Sequence, residues 1–296
     1  MMKLFQSKIT FNSFLCGIPA KDYIYQDTPY NNQISEAVSL LKQADYVLVG
    51  VGAGMSAAAG AKYGGKFFEE NFGEFQQKYG KGDYMKDMYY AGFYPYPDEE
   101  SYWGYWSKQA LLGGIELDVT PLHKVVLDII SNKNIFVLST NVDAQFTKAG
   151  LSEDKIFCTQ GDYFHIQCAK GCHNKIYNAV DLFHQMDKAR RDCKVPKYLV
   201  PKCPVCGGAM DMNLRKDEYF VQDKAWYEAE KRFSDYMSEA VDKNLVLLEL
   251  GVGFNTPTII RFPFEKLVRE HKNISLIRLN LNEAIVPESF GKRAIG

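Results

Sequence analysis

Two cysteine pairs place the first constraint on this chain. Cys168 and Cys172 stand in a C-x3-C spacing; Cys203 and Cys206 stand in a C-x2-C spacing followed by Gly207-Gly208. Thiolates on two short knuckles close a tetrahedral zinc site, and such a site replaces the hydrophobic core that a small insert lacks. Four thiolates leave no position for water, so the expected metal is structural. Cys193, His165 and His173 are alternative ligands from the same stretch. Residues 163–223, which carry these cysteines and show little periodicity, read as a small zinc-binding domain inserted into a larger fold. Cys16 and Cys158 read as buried spectator thiols.

The main core must come from the rest of the chain, and there strands and helices alternate. Ile34, Val38 and Leu41 recur at helical spacing before Tyr46-Val-Leu-Val-Gly50, a buried strand. Pro121 opens a second helix with Leu122, Val125, Val126 and Ile129 on its apolar side, and Ile135–Leu138 forms the next strand. Two further strands, Leu245–Leu250 and Ile274–Leu279, flank a helix beginning near Pro257. The alternation predicts an α/β fold, a Rossmann-like doubly wound parallel sheet built from residues 30–162 and 224–296. Residues 62–118 interrupt it as a helical insertion. Within it, 67–106 holds 15 of the 41 aromatic residues, which suits a module packed by its own rings, a wall for a flat ligand or partner, or both.

Charge and hydropathy exclude some partners. Lys and Arg number 35 against 36 Asp and Glu, so nothing in the net charge of −1 asks for nucleic acid or an anionic membrane. The longest apolar run, 245–254, is too short to span a bilayer and carries Glu249. Lys3, Gln6, Ser7, Lys8 and Asn12 interrupt any signal-peptide core in residues 1–20. A cytoplasmic chain is expected, which also favours metal over disulfides for the paired cysteines.

The first strand runs into Gly50-Val-Gly-Ala-Gly-Met-Ser56 and then a run of small residues. Small residues before a helix N-terminus let backbone N–H groups approach a phosphate. The usual dinucleotide fingerprint is not met: its third glycine falls at Ala57, and no acidic residue closes a second strand about 20 residues later. The segment is a nucleotide loop of another lineage or a tight turn. Ser139-Thr-Asn-Val-Asp143 brings an amide and a carboxylate to a strand end, either for a ligand or as an Asx turn capping a helix.

Taken in order, these motifs resemble the sirtuin family from about Ser35 to Asn280. The family's G-A-G-x-S stands as Gly52-Ala-Gly-Met-Ser56, and its T-Q-N-I-D as Ser139-Thr-Asn-Val-Asp143, followed by Ala149-Gly150. Its C-P-x-C-G-G stands as Cys203-Pro-Val-Cys-Gly-Gly208, its glycine-rich strand end as Gly251-Val-Gly-Phe-Asn-Thr-Pro257, and its I-N as Leu279-Asn280. The resemblance implies NAD binding by Gly52, Ala53, Gly54, Met55, Ser56, Asn141, Asp143, Gln160, Gly251, Val252, Gly253 and Asn280. It also implies zinc held by Cys168, Cys172, Cys203 and Cys206, and displacement of nicotinamide by a nucleophile.

The departures point to a particular reaction. Where sirtuins carry I-P-D-F-R this chain reads Ala61-Lys-Tyr-Gly-Gly65, and Asp211-Met-Asn-Leu-Arg215 replaces the acyl-peptide groove motif. Thr140 replaces the family's Gln. The catalytic histidine falls at Gln160, whose amide hydrogen-bonds a ribose hydroxyl but takes no proton at neutral pH. Deacylation needs that base; cleavage at the nicotinamide ribose and ADP-ribosyl transfer do not.

This set resembles the macrodomain-linked (class M) bacterial sirtuins. That resemblance implies an NAD-dependent protein ADP-ribosyltransferase acting on a lipoylated, glycine-cleavage H-like carrier, with a macrodomain hydrolase reversing the mark. Asn141, Gln160 and Arg215 are then the catalytic candidates: Asn141 orients the ribose, Gln160 positions a ribose hydroxyl, and Arg215 steers an acidic acceptor, steadies developing charge or is a solvated surface arginine. A weak deacylase, an NAD or ADP-ribose sensor and an NAD hydrolase are the alternatives.

Overall fold

The computed structural model of the chain describes residues 29–80, 82–254 and 257–296, with the backbone of Tyr23–Ile24. Residues 1–20 with Cys16, and Asn255-Thr256 of the late glycine-rich motif, lie outside the described residues. In chain order the strands are β1 (Tyr23–Ile24), β2 (Tyr46–Val51), β3 (Asn134–Ser139), β4 (Ile156–Cys158), β5 (Gly161–Cys168) and β6 (Tyr177–Asn178). They continue as β7 (Met210–Leu214), β8 (Leu245–Leu250), β9 (Ile274–Leu279), β10 (Val286–Pro287) and β11 (Ala294–Ile295).

Six of them form one parallel sheet in the order β11-β9-β8-β2-β3-β4. Tyr46 opens β2 opposite Leu245 on one side and Asn134 on the other. Both faces of these strands are covered, which is why β2 and β8 read as near-continuous apolar runs. Val47, Val49 and Val51 face a core with Val126 and Ile130, while Leu48 and Leu247 face another with Ile260 and Phe264. The chain leaves β2 for β3 and β4 on one side and reaches β8 and β9 on the other. Strand order therefore reverses at β2, and a crevice opens between the loops that follow β2 and β8.

The helices differ in detail from the sequence pattern. Helix Tyr30–Gln43 exists, yet Ile34 and Val38 are 44% and 42% exposed; its inner face is Ala37, Leu40 and Leu41. Helix Pro121–Ile130 begins at the proline, with Thr120 capping the N–H of His123. It buries His123, Val126 and Ile130, whereas Val125 and Ile129 are 49% and 58% exposed. The sheet takes the i, i+3, i+7 stripe rather than the residues beside it. The helix expected near Pro257 begins at Arg261, after a turn in which Phe262 N donates to Pro257 O. Pro263 then falls in the first turn, where a missing N–H costs nothing.

The second body contains a three-stranded antiparallel sheet in the order β6-β5-β7. Against it pack the helices Gly65–Tyr79, Glu99–Ala110 and Val180–Ala189 and the π-helical turn Leu111–Ile115. The aromatic segment does pack on its own rings, as with Phe68 stacked on Phe72 at 5.0 Å. It also shares one core with the cysteine-bearing segment: Phe72, Trp103 and Tyr105 join Ile166, Cys168, Phe183, Cys203 and Met212. Contact is close enough that a Cβ on Gly104 would stand 2.1 Å from Cys193 O. Among the described residues, no helix is long and apolar enough to cross a membrane.

Candidate active site

The crevice floor is backbone. Gly52 caps the six-residue helix Ala53–Ala58, its N–H donating to Leu250 O, and Gly54 N donates to Gly251 O at 3.0 Å. Side chains are shut out on both sides. A Cβ on Gly54 would meet Gly251 Cα at 2.8 Å, and one on Gly251 would meet Met55 N at 2.1 Å. Gly251 also has φ +62°, in the left-handed region. Gly251→Ala should therefore destabilise the fold by about 1–3 kcal/mol, and with the floor at NAD, as the sequence resemblance implies, it should also weaken NAD binding. Calorimetric titration with NAD beside a thermal melt checks both; unchanged affinity would refute the placement of this floor at the ligand.

One wall comes from the β3 loop. Ser139 Oγ accepts from Asn141 N at 3.0 Å and holds the turn. Asn141 Nδ2 donates to Gly52 O at 3.1 Å and to Ser56 Oγ at 3.2 Å, and Ser56 Oγ donates to Asp143 Oδ2 at 2.5 Å. All three side chains are buried. Asp143 Oδ1 accepts from Gln145 N at 3.2 Å, so the Asx turn is present and uses only one carboxylate oxygen. Ser56 thus links the glycine loop to Asn141 and Asp143, two residues of one loop more than 80 positions away.

Tyr63 closes this cluster, and sequence reasoning passed over it. Its phenol lies beside Ser56 and Asp143; burial, reinforced by the Asp143 charge, pushes its pKa upward and keeps it a neutral donor. Tyr63 O accepts from Met88 N at 2.8 Å, and Gly64 bridges to Asp87, so the altered 61–65 loop is tied to the aromatic helices. The available signal was a lone aromatic in a glycine-rich loop.

The same wall continues from the end of β4 to β7. Thr159 N donates to Ser139 O and Tyr163 N to Val142 O, which sets residues 159–163 along the Asn141 loop. Arg215 N donates to Gln160 O at 3.0 Å, and Arg215 Nε donates to Thr159 O at 3.3 Å. The exposed guanidinium lies 4.9 Å from the ring centre of Phe220 and 5.7 Å from that of Trp226, contacts worth roughly 0.5–1 kcal/mol at an exposed site. The following turn is held by Lys216, which donates to Asp211 Oδ1 at 2.8 Å, while Tyr102 OH donates to the same carboxylate.

At the far end of the crevice, Asn280 Nδ2 donates to Val252 O at 3.1 Å, linking the loops after β9 and β8. Behind Asp143 a small cavity is lined by Asn141, Asp143, His123 and Cys158. His123 is fully buried, its pKa lowered by burial, with Nδ1 2.5 Å from Thr120 Oγ1 and Nε2 unpartnered. Burial, with Asp162 and Asp143 adding, pushes the Cys158 thiol up to about 12, so it is no nucleophile at neutral pH.

The four sulfurs of Cys168, Cys172, Cys203 and Cys206 lie within 4.8 Å of one another. Cys168 and Cys206 are 3.7 Å apart and Cys172 and Cys203 3.6 Å, close to the ~3.8 Å edge of a tetrahedron with zinc–thiolate bonds. The donor set fits structural zinc. Of the alternative ligands, His173 lies against the cluster, Nδ1 3.1 Å from Cys172 Sγ. His165 and Cys193 stand outside it. His165 Nδ1 pairs with Asp162 at 2.8 Å; burial alone would lower its pKa, but Asp162 raises it. Cys193 is buried beside Gly104.

No protein-family model matches the chain. A protein ADP-ribosyltransferase of Staphylococcus aureus is 30% identical over 256 residues, which cover 86% of this chain and 80% of that protein. A probable bifunctional ADP-ribose hydrolase/ADP-ribosyltransferase of Fusarium oxysporum is 33% identical over 300 residues. That match takes in 95% of this chain and 48% of the relative, so the chain spans about half its length. Among solved structures, a SIR2 homologue–NAD complex aligns with a TM-score of 0.58 at 14% identity, covering 93% of this chain and 91% of its own. Sir2Tm bound to a propionylated peptide aligns with a TM-score of 0.55 at 19% identity, covering 88% and 90%. These structural likenesses concern the fold.

Proposed function

The chain belongs to the sirtuin-type protein ADP-ribosyltransferases, NAD-dependent enzymes, and from that premise we propose that it transfers ADP-ribose to a lipoylated, glycine-cleavage H-like carrier protein. One observation carries the choice of transfer over deacylation: glutamine at 160. Gln160 lies where residues 159–163 run along the Asn141 loop, and among the described residues no imidazole takes its place. His123 is behind the wall, His165 is committed to Asp162, and His173 sits at the sulfurs.

In this reading NAD is the substrate. The C1′–nicotinamide bond breaks, a bond from C1′ to the acceptor forms, and the acceptor's proton, where it has one, passes to solvent. Asn141 orients the ribose and Gln160 hydrogen-bonds a ribose hydroxyl. Asp143 contacts the nicotinamide side. Arg215, held over Phe220 and Trp226, presents fixed positive charge to an acidic acceptor. The cysteine cluster, filled by zinc, keeps the second body folded and supplies no chemistry. A partner macrodomain hydrolase removes the mark; the longer Fusarium relative, named for both activities, supports that pairing.

Incubation with labelled NAD should place label on the lipoylated carrier. Label that never reaches protein, while an acyl-lysine peptide is deacylated efficiently, would refute the reading. Gln160→His should raise deacylation of such a peptide by at least about tenfold, since a positioned base contributes ~10²–10⁴-fold. No gain would count against the missing-base argument.

A further inference from the structure

Two buried arginines lie beneath the crevice, and they do different things. Arg278, on β9, donates to both oxygens of Glu249 at 2.7 and 2.9 Å and to Glu265 at 2.9 Å. It therefore partners both buried carboxylates, and its Nη1 also donates to Ile285 O at 2.5 Å, on the loop after β9 alone. Arg261 stands 3.6 Å from Glu249 and 3.9 Å from Glu265, beyond good hydrogen-bond range. Its donors go to main-chain carbonyls: Nη1 to Val252 O at 3.1 Å, and Nη2 to Glu283 O at 2.8 Å and Ile285 O at 3.5 Å. The guanidinium lies 4.0 Å from the ring centre of Phe254 and is fully buried. Those carbonyls belong to two loops, one after β8 and one after β9. Asn280 bridges the same loops to Val252 O, and Phe254 N donates to Glu283 Oε2 at 2.9 Å.

We propose that Arg261 is a positioning residue for NAD, fixing the separation of the 251–254 and 280–285 loops and so setting affinity without acting on the bond that breaks. This rests on the reading above that places Gly251, Val252, Gly253 and Asn280 at NAD. The planar fork sends a separate nitrogen to each loop, Nη1 to Val252 O and Nη2 to Glu283 O, whereas an ammonium offers a single one on a flexible stem.

The test is Arg261→Lys, with Arg261→Met beside it. Arg261→Lys should raise KM for NAD and Kd for ADP-ribose about tenfold, with kcat at saturating NAD within about twofold. Unchanged KM, or kcat and Tm falling together at wild-type KM, would overturn the proposal in favour of a purely structural role. Should neither Arg261 variant fold by circular dichroism, Phe254→Leu decides: KM raised about threefold supports positioning, and wild-type KM refutes it. A wild-type enzyme that binds NAD but labels no protein refutes the transferase reading instead, so the two failures are distinguishable.

Discussion

Asn141→Ala should reduce nicotinamide release by about 10²–10³-fold, the usual loss when one preorganised polar group is removed from a reacting centre. Asn141 is buried, and its amide reaches Gly52 O and Ser56 Oγ, so it joins the glycine loop to the wall that carries Asp143. Deleting it removes both of these hydrogen bonds, and with them the tie between the glycine loop and the Asp143 wall, and leaves Ser56 with one partner fewer. Part of the cost is structural, about 1–3 kcal/mol for the carbonyl left behind. The folded fraction should therefore be measured by calorimetry and the rate taken per folded molecule. Release within tenfold of wild type would mean that the bond breaks without this amide, and a sensor with incidental turnover would be the better description.

Removing the metal should have the largest effect on stability, and the effect should spread well past the knuckles. Cys168 and Cys203 are buried in the same core as Phe72, Trp103, Tyr105 and Phe183. A structural zinc contributes ~10–16 kcal/mol of apparent binding free energy in small domains. Chelation, or Cys203→Ser, should therefore unfold the antiparallel sheet and loosen the helices 65–79 and 99–110 with it. Fluorescence reads this directly, because Trp103 is fully buried and Trp106 nearly so. A red shift together with retained parallel-sheet signal is expected. Emission that stays put while zinc is lost would show that the aromatic helices hold together on their own.

Much of this was legible in the sequence. The strands β2, β3, β8 and β9 are long enough, and apolar enough on both faces, to declare themselves, and cysteine spacing marks the metal cluster regardless of tertiary context. The edge strands β4 and β11, three and two residues long, are too short to carry a period. Glu249 appears in sequence only as a charge interrupting an apolar run. That it is buried at no unpaired cost depends on Arg278, 29 residues away, and no local pattern encodes such a pairing. Likewise, the aromatic segment signals self-packing, but its union with the cysteine-bearing segment rests on contacts across about a hundred residues. The Ser56–Asp143 link is of the same kind, since each residue has an adequate local explanation until the fold brings them together.

The backbone contact between Gly54 and Gly251 has a consequence for how this pocket can change over time. Elsewhere in the crevice a substitution on one side can be answered by a smaller or differently shaped side chain on the other. Here neither partner has anything left to shrink: Gly54 N meets Gly251 O directly, across nearly 200 residues of chain. Second-site suppressors of a Gly251 variant should not arise at Gly54, nor the reverse. Repair would require both loops to move apart, and with them β2 and β8, whose hydrogen-bonded register runs without a break up to that point. The walls of the site are open to drift, while its floor can only be kept or lost.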